Sequence, residues 1–472
     1  MGIFRVMNPP SQNGSNTFAH VAVADVSAEA TELQLTYAER DHVLTNVNVW
    51  SPDGRRIVFD VRTSEDFNGT TIEEVEIASR RVRTLFEAAN GAHCGVATYS
   101  PVGSWVAFIL GPEHPSADWY YGMSRRRGVL VDARRPGSLI ALDAMNYRPP
   151  FTPGALRGGS HVHVFSPDGL WVSFTYDDEV LERLGDVGAD HDLNQRNVGV
   201  AVPAGPVSVA RSHPRNHDGE YFSVIVTRTQ NRPRPGSDEI CRACEEGWVG
   251  ADGYLRANGE RQKHALAFQG LVVAPDGAKH AEIFIVDLPE DLTMPAEESL
   301  AGTERRYPRP PRGTTQRRLT FSSARQYPGV VAVPRHWIRS APDGARIAFL
   351  MRDEQGIVQL FCVSPNGGEP KQLTHNPWPV ASAFTWSHDG RWIAHAMDNS
   401  VFATDAMTGH SVRLTMRSAD SAAPLPLACV FSPNGKQIAY LRKLDQAGQV
   451  HSQIFVVSLP ERLTTPGDRV QR

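Results

Sequence analysis

Cysteine is scarce in this chain. Five stand among 472 residues, at Cys94, Cys241, Cys244, Cys362 and Cys429. So sparse and odd a set fits a reducing compartment better than a disulfide framework. No apolar run approaches the roughly 20 residues that a membrane-spanning helix needs. Charge of either sign is not in excess: 48 Lys and Arg face 52 Asp and Glu, for a net of -4. That balance gives no electrostatic footprint for nucleic acid. The opening residues, MGIFRVMNPPSQNGSNTFAH, lack a basic start, an apolar centre and a small-residue cleavage site. The expectation is a cytoplasmic protein. A G-x-S-x-G nucleophile elbow is also missing, which ranks a hydrolase last among the candidate classes.

What is abundant is repetition. An aromatic or small residue, a Ser-Pro-Asp-Gly turn or a variant of it, and an alternating strand recur along the chain. The copies are WSPDGRRIVF (50–59), YSPVGSWVAF (99–108), FSPDGLWVSF (165–174), SAPDGARIAF (340–349), WSHDGRWIAH (386–395) and FSPNGKQIAY (431–440). A degenerate copy, NHDGEYFSVIV (216–226), makes seven. Proline presets φ and glycine accepts φ > 0, as a tight hairpin turn requires. The alternation after each turn is the period-2 sign of a half-buried strand. A second repeat follows the first, as in VQLFCVSP (358–365) and then KQLT (371–374). Four-strand units at such spacing are propeller blades.

The expected fold is therefore all-β: a seven-bladed β-propeller of four-stranded antiparallel blades. Residues 18–472 form one domain, and 1–17 are expected to be flexible. HVAVADV (20–26) is a candidate strand for closing the ring. The blade begun near 216 carries a long insertion over 227–263, and VAPDG (273–277) is the turn between its third and fourth strands.

Positions five to seven before the repeat serine should gather at one face of the ring, together with the loops that join first to second strands. Blade one brings Asn46 and Asn48 there, and blade two brings His93. Blade three brings His161 and His163, with Arg157 just upstream. The blade at 340 brings Arg335 and His336. The last two blades bring small or apolar residues. His161 and His163 stand two apart, which on a regular strand puts both on one face. Histidine suits proton transfer near neutral pH, and arginine suits a planar carboxylate.

Two other features compete. Cys241 and Cys244 form a CxxC, with His264 and His280 downstream, which is a candidate zinc set. Its histidine spacing is not that of a zinc finger, and free thiols are the preferred reading. The basic stretches SRRRG (124–128) and GTERRYPRPPRGTTQRR (302–318) read as solvated connections rather than nucleic-acid sites.

The SPDG turns and RRLT strands resemble the TolB-like propeller repeat. GAHCGV, LRGGSHVHVFSPDG, EEGWVG and VPRHWIRSAPDGARIAFLMRD resemble an uncharacterised bacterial propeller family with a domain of unknown function. More distantly, the chain resembles seven-bladed polysaccharide lyases of the oligogalacturonate, ulvan and rhamnose–glucuronate types. That resemblance implies a lyase that cleaves uronate-containing oligosaccharides by β-elimination. It implies His93 and His163 for proton transfer, with Tyr147 as a candidate acid. Arg157, Asn46 and Arg335 would bind an acidic oligosaccharide or another carboxylated small molecule. His161, His163 and His336 would supply part of a divalent-cation site. The rival reading is a non-catalytic TolB-like platform that binds a protein partner or a carboxylated ligand. Neither nucleic acid nor membrane is expected as a partner.

Overall fold

Blade three shows how the repeat builds the molecule. In the computed structural model its strands run Gly158–Phe165, Val172–Asp178, Asn197–Val202 and Phe222–Ile225, hydrogen-bonded in that order and antiparallel throughout. The Ser-Pro-Asp-Gly turn joins the first two. There the Ser166 hydroxyl donates to the Asp168 carboxylate at 2.5 Å, which accepts from the Leu170 N–H. The Trp171 N–H donates back to Ser166 Oγ at 2.9 Å. The same knot recurs at Ser51 and Asp53, at Ser387 and Asp389, and at Ser432 and Asn434. The serine and acidic residue of the repeat thus close the turn that Pro and Gly open. The structure describes residues 24–25, 28–63, 66–186, 190–446 and 448–464. The expectation for 1–17 lies outside them.

Seven such antiparallel units form the ring. Each pair of neighbouring blades shares one apolar cluster. Val198 and Val224 of blade three pack with Phe268 and Phe284 of blade four. Ile57 and Phe59 of blade one pack with Leu441 and Ile454 of blade seven, which closes the circle. A blade is buried on both faces, so its middle strands read as near-continuous apolar runs such as Trp105–Leu110. Closure also uses the chain's start: Glu32–Gln34 pairs antiparallel with Gln449–Ser458 as the outermost strand of blade seven. Of the HVAVADV segment, Ala24–Asp25 adds in parallel to Ser411–Arg413, on the edge of blade six. Among the described residues, no helix is long and apolar enough to cross a membrane.

Blade four departs from the reading of the sequence. NHDGEYFSVIV does not open it, because Phe222–Ile225 is the outer strand of blade three. Residues 227–263 are not an insertion, since they contain Ala243–Trp248, the innermost strand of blade four. A small hairpin, Tyr254–Leu255 with Arg261–Gln262, replaces the usual turn to the second strand, His264–Val273. VAPDG then joins the second strand to the third, Lys279–Leu288.

The assignment of faces also changes. Phe165 pairs with Val172 beside the turn, while Gly158 pairs with Asp178 at the other end of the blade. Residues ahead of each repeat serine therefore lie away from these turns. Their end of the ring carries the second-to-third and fourth-to-first connections.

Candidate functional site

Three innermost strands carry the same irregularity. Gly95 pairs with Ile109 but Thr98 with Ala107, so one extra residue sits in the strand. The pattern repeats from His161 to Val164 in blade three and from Cys244 to Gly247 in blade four. At each bulge one residue takes a left-handed conformation: Val96 at φ 61, Val162 at φ 53 and Glu245 at φ 53. Asn48, on the inner segment of blade one, has φ 52. Positive φ is rare for any L-residue and rarer for valine. Such bulges re-aim side chains and cluster beside functional sites.

The bulge in blade three separates two histidines expected to act together. His161 faces a cavity of about 300 Å³ at the ring's axis. His163 turns into the packing between blades two and three instead. Its Nε2 lies 3.0 Å from Ser160 Oγ and 3.8 Å from Asp143, and all three residues are fully buried. A Cβ on Gly128 would come within 2.4 Å of that nitrogen. His163 therefore cannot reach a ligand in the axial cavity.

Four arginines and one carboxylate, Asp66, line the cavity. Arg62, Arg126, Arg196 and Arg335 reach it from blades one, two, three and five. Arg196 pairs with Asp177 at 3.1 Å, and Arg335 pairs with Glu245 at 2.8 Å. Arg62 pairs closely with buried Asp60, whose carboxylate also accepts the Val96 N–H at the bulge. Arg126 is less well served. It is only 5% exposed; its Nη1 donates to the Tyr121 hydroxyl at 3.2 Å. Its Nη2 stands 3.7 Å from Asp177, and neither Nε nor Nη2 has a hydrogen-bond partner among the described residues. Buried donors without partners are costly, and they mark a place where a ligand's acceptor fits.

His161 is held neutral. Burial pushes its pKa well below the usual value, and Arg126, Arg335 and Arg196 push it the same way. Its Nδ1 is buried without a partner among the described residues. Aromatic surface completes the cavity: Phe67 stacks on Tyr121 at 4.5 Å, and Arg335 lies 4.4 Å over the Trp337 ring. At its edge Asn46 accepts a close hydrogen bond from Arg339, which reaches from blade five to blade one. Beside them Glu246 is fully buried, with its pKa raised to about 7 by burial, and it accepts from Thr175 at 2.9 Å.

Of the residues expected at the site, Asn46, Arg335 and His161 line this cavity. The others do not. His93 is half-buried ahead of the first strand of blade two, its Nδ1 without a partner, and does not line the cavity. Tyr147 lines a separate cleft of about 180 Å³, edge-on to Trp119. Arg157 is structural: it donates to Asp178 at 2.7 Å and to the carbonyls of Thr303 and Arg306, so it clamps a loop.

A metal does not fit the expected donors. His336 has both ring nitrogens engaged, Nδ1 against the Pro334 carbonyl at 3.0 Å and Nε2 against the Leu350 N–H at 3.1 Å. His161 and His163 face apart. Among the described residues, no group of three or more His, Cys, Asp or Glu side chains could hold a metal ion. The CxxC set disperses as well. All five cysteines are free, His264 stacks on Trp171 at 3.9 Å, and His280 pairs with Glu282 at 3.1 Å.

Three arginines and Tyr121 escaped the reading of the sequence. Arg62 follows the second strand of blade one, whereas Arg126 and Arg196 precede the third strands of blades two and three. SRRRG, read as a solvated connection, delivers Arg126 to the cavity and Arg125 and Arg127 to the cleft beside Tyr147.

Fold and cavity together define a seven-bladed propeller with an arginine-lined axial site. The family model described as a protein of unknown function, DUF3748, matches residues 93–217. The uncharacterised protein YidR of Escherichia coli K12 is 49% identical over 412 residues, 86% of this chain and 94% of that protein. The chain belongs to the YidR family. Among solved structures, an oligogalacturonate lyase in complex with manganese is similar over 94% of this chain and 96% of its own. The TM-score is 0.55 and the identity 12%. An oligogalacturonate lyase from Vibrio parahaemolyticus covers 93% of this chain and 96% of its own, with TM-score 0.53 and 12% identity. Both are likenesses of fold.

Proposed function

We propose that this protein is a lyase acting on uronate-containing oligosaccharides, with its site in the axial cavity. The observation that carries the reading is Arg126: a guanidinium almost wholly buried, with two nitrogens that have no partner among the described residues, beside a histidine kept neutral. The proton next to a uronate carboxylate is weakly acidic, so the carboxylate charge must be offset as the carbanion forms. Arg126 and Arg196, joined through Asp177, supply that charge without a metal.

Neutral His161 takes the proton from the carbon beside the carboxylate. The electron pair forms the new carbon–carbon double bond, and the glycosidic oxygen leaves from the next carbon. Tyr121, whose oxygen accepts from Arg126, has its own proton free to pass to that oxygen. These roles replace those expected of His163, His93 and Tyr147. The lyase-like fold of the two oligogalacturonate lyases supports the same reading. Five free cysteines suit a reducing compartment, and we place the protein in the cytoplasm.

The test is ultraviolet absorbance of the conjugated, unsaturated uronate product over a panel of uronate oligosaccharides. A rise with at least one of them is expected. Binding without any rise would make the protein a carboxylate-binding platform and end the lyase proposal.

A further inference from the structure

A second cavity, of about 330 Å³, opens on the same side of the ring between blades four and five. It shares a wall with the axial cavity. Arg335 lines both, with its side chain 51% exposed and its guanidinium anchored on Glu245, the left-handed residue of the blade-four bulge. On the far wall stands Arg242, exposed and making no ion pair among the described residues. Leu271, Val331 and Ala332 give the cavity apolar surface. Gln269 donates its amide N–H to the His336 carbonyl at 3.0 Å, which leaves its own oxygen to accept from a hydroxyl. Apolar faces with a few placed polar groups are what a sugar ring meets in a pocket. Each cavity alone stands at the small end of the roughly 300–1,000 Å³ typical of ligand sites.

We propose that the two cavities form one extended site for an acidic oligosaccharide. The reacting unit sits on the axis, the chain crosses Arg335, and Arg242 holds the carboxylate of a further unit. The inference rests on the uronate reading above and adds to it a length requirement: the preferred ligand is an oligomer, and Arg242 senses its length. Two features favour a carboxylate over a neutral sugar in the second cavity. Arg242 makes no ion pair among the described residues, and its side chain interacts with the thiol of Cys244. The acidic group lining the second cavity, Glu245, is already engaged by Arg335, which therefore divides the cavities more than it attracts charge.

The probes are galacturonate, digalacturonate and trigalacturonate, titrated calorimetrically into the full chain carrying His161→Gln, which prevents turnover during the titration. Trigalacturonate should bind about tenfold or more tighter than galacturonate, the gain expected of one added charge-assisted pair. Arg242→Gln should erase that gain and leave galacturonate binding unchanged. Equal affinity for all three probes would overturn the proposal. So would an Arg242→Gln effect equal on monomer and trimer, or no binding of any probe. The two readings fail differently. Length-dependent binding with no turnover by the unmutated protein removes the lyase and leaves the extended site. Turnover that is indifferent to Arg242 removes the extended site alone.

Discussion

The arc from blade one to blade five and the pair of blades six and seven differ sharply around one axis. In the first, Arg62, Arg126, His161, Arg196 and Arg335 face the cavity, and four residues on inner strands take left-handed φ. In the second, the inner strands offer Ser382, Ala383 and Phe384, then Leu427 and Ala428. Of these only Leu427 reaches the cavity, and no inner-strand residue there has positive φ. The blades are alike in their middle strands and in the apolar clusters between them. Architecture is thus served equally by all seven, while left-handed residues on the inner segments and arginines facing the axis gather in one sector. Strain retained where regular strands would do points to function.

His161→Gln keeps a polar ring-sized group but removes the base, so turnover should fall about 10²–10⁴-fold. Unchanged turnover would move the chemistry elsewhere. Next comes Gly128→Ala. Its Cβ would press on His163 and Asp143, so we expect about 1–3 kcal/mol of destabilisation in denaturant melts. A neutral effect would contradict the buried placement of His163.

The third prediction concerns pH. Burial lowers the pKa of His42, His336 and His395 to about 4. The unfolded chain protonates its histidines below about 6.5, whereas the fold keeps these three neutral. Stability should therefore decline as pH falls from about 6.5 to 4. Glu246, raised to about 7, works in the opposite sense, but it is one group against three with shifts of similar size. Melting temperatures that stay flat down to pH 4.5 would contradict these placements. The smallest effect is expected from the quiet sector: Leu427→Ala should change ligand affinity by no more than about threefold. A larger loss would mean that blade seven helps build the site.

Much of the fold was legible in the repeat, because Ser, Pro, Asp and Gly each have a task in the turn. Blade four was not, because a hairpin replaces that turn and its one Pro-Asp-Gly sits a strand later. For the site, the rule of counting back from the repeat serine found Asn46, His161 and Arg335. It also proposed His163, since two residues apart means one face on a regular strand. The bulge that breaks this parity carries valine at positive φ, not glycine, so no residue type announced it. Arg62, Arg126 and Arg196 come from second-to-third connections, which inner-strand counting cannot reach.

In the proposed site a buried guanidinium, without a metal, holds the ligand's carboxylate. This is tested most directly by titrating galacturonate into the full chain in the presence of a chelator, with Arg126 and with Arg126→Met. Binding in chelator is expected, weakened about 30-fold or more by the substitution, as for loss of a buried charge partner. Thermal melts must show both proteins folded. Binding that requires added manganese, or that survives Arg126→Met unchanged, would contradict it.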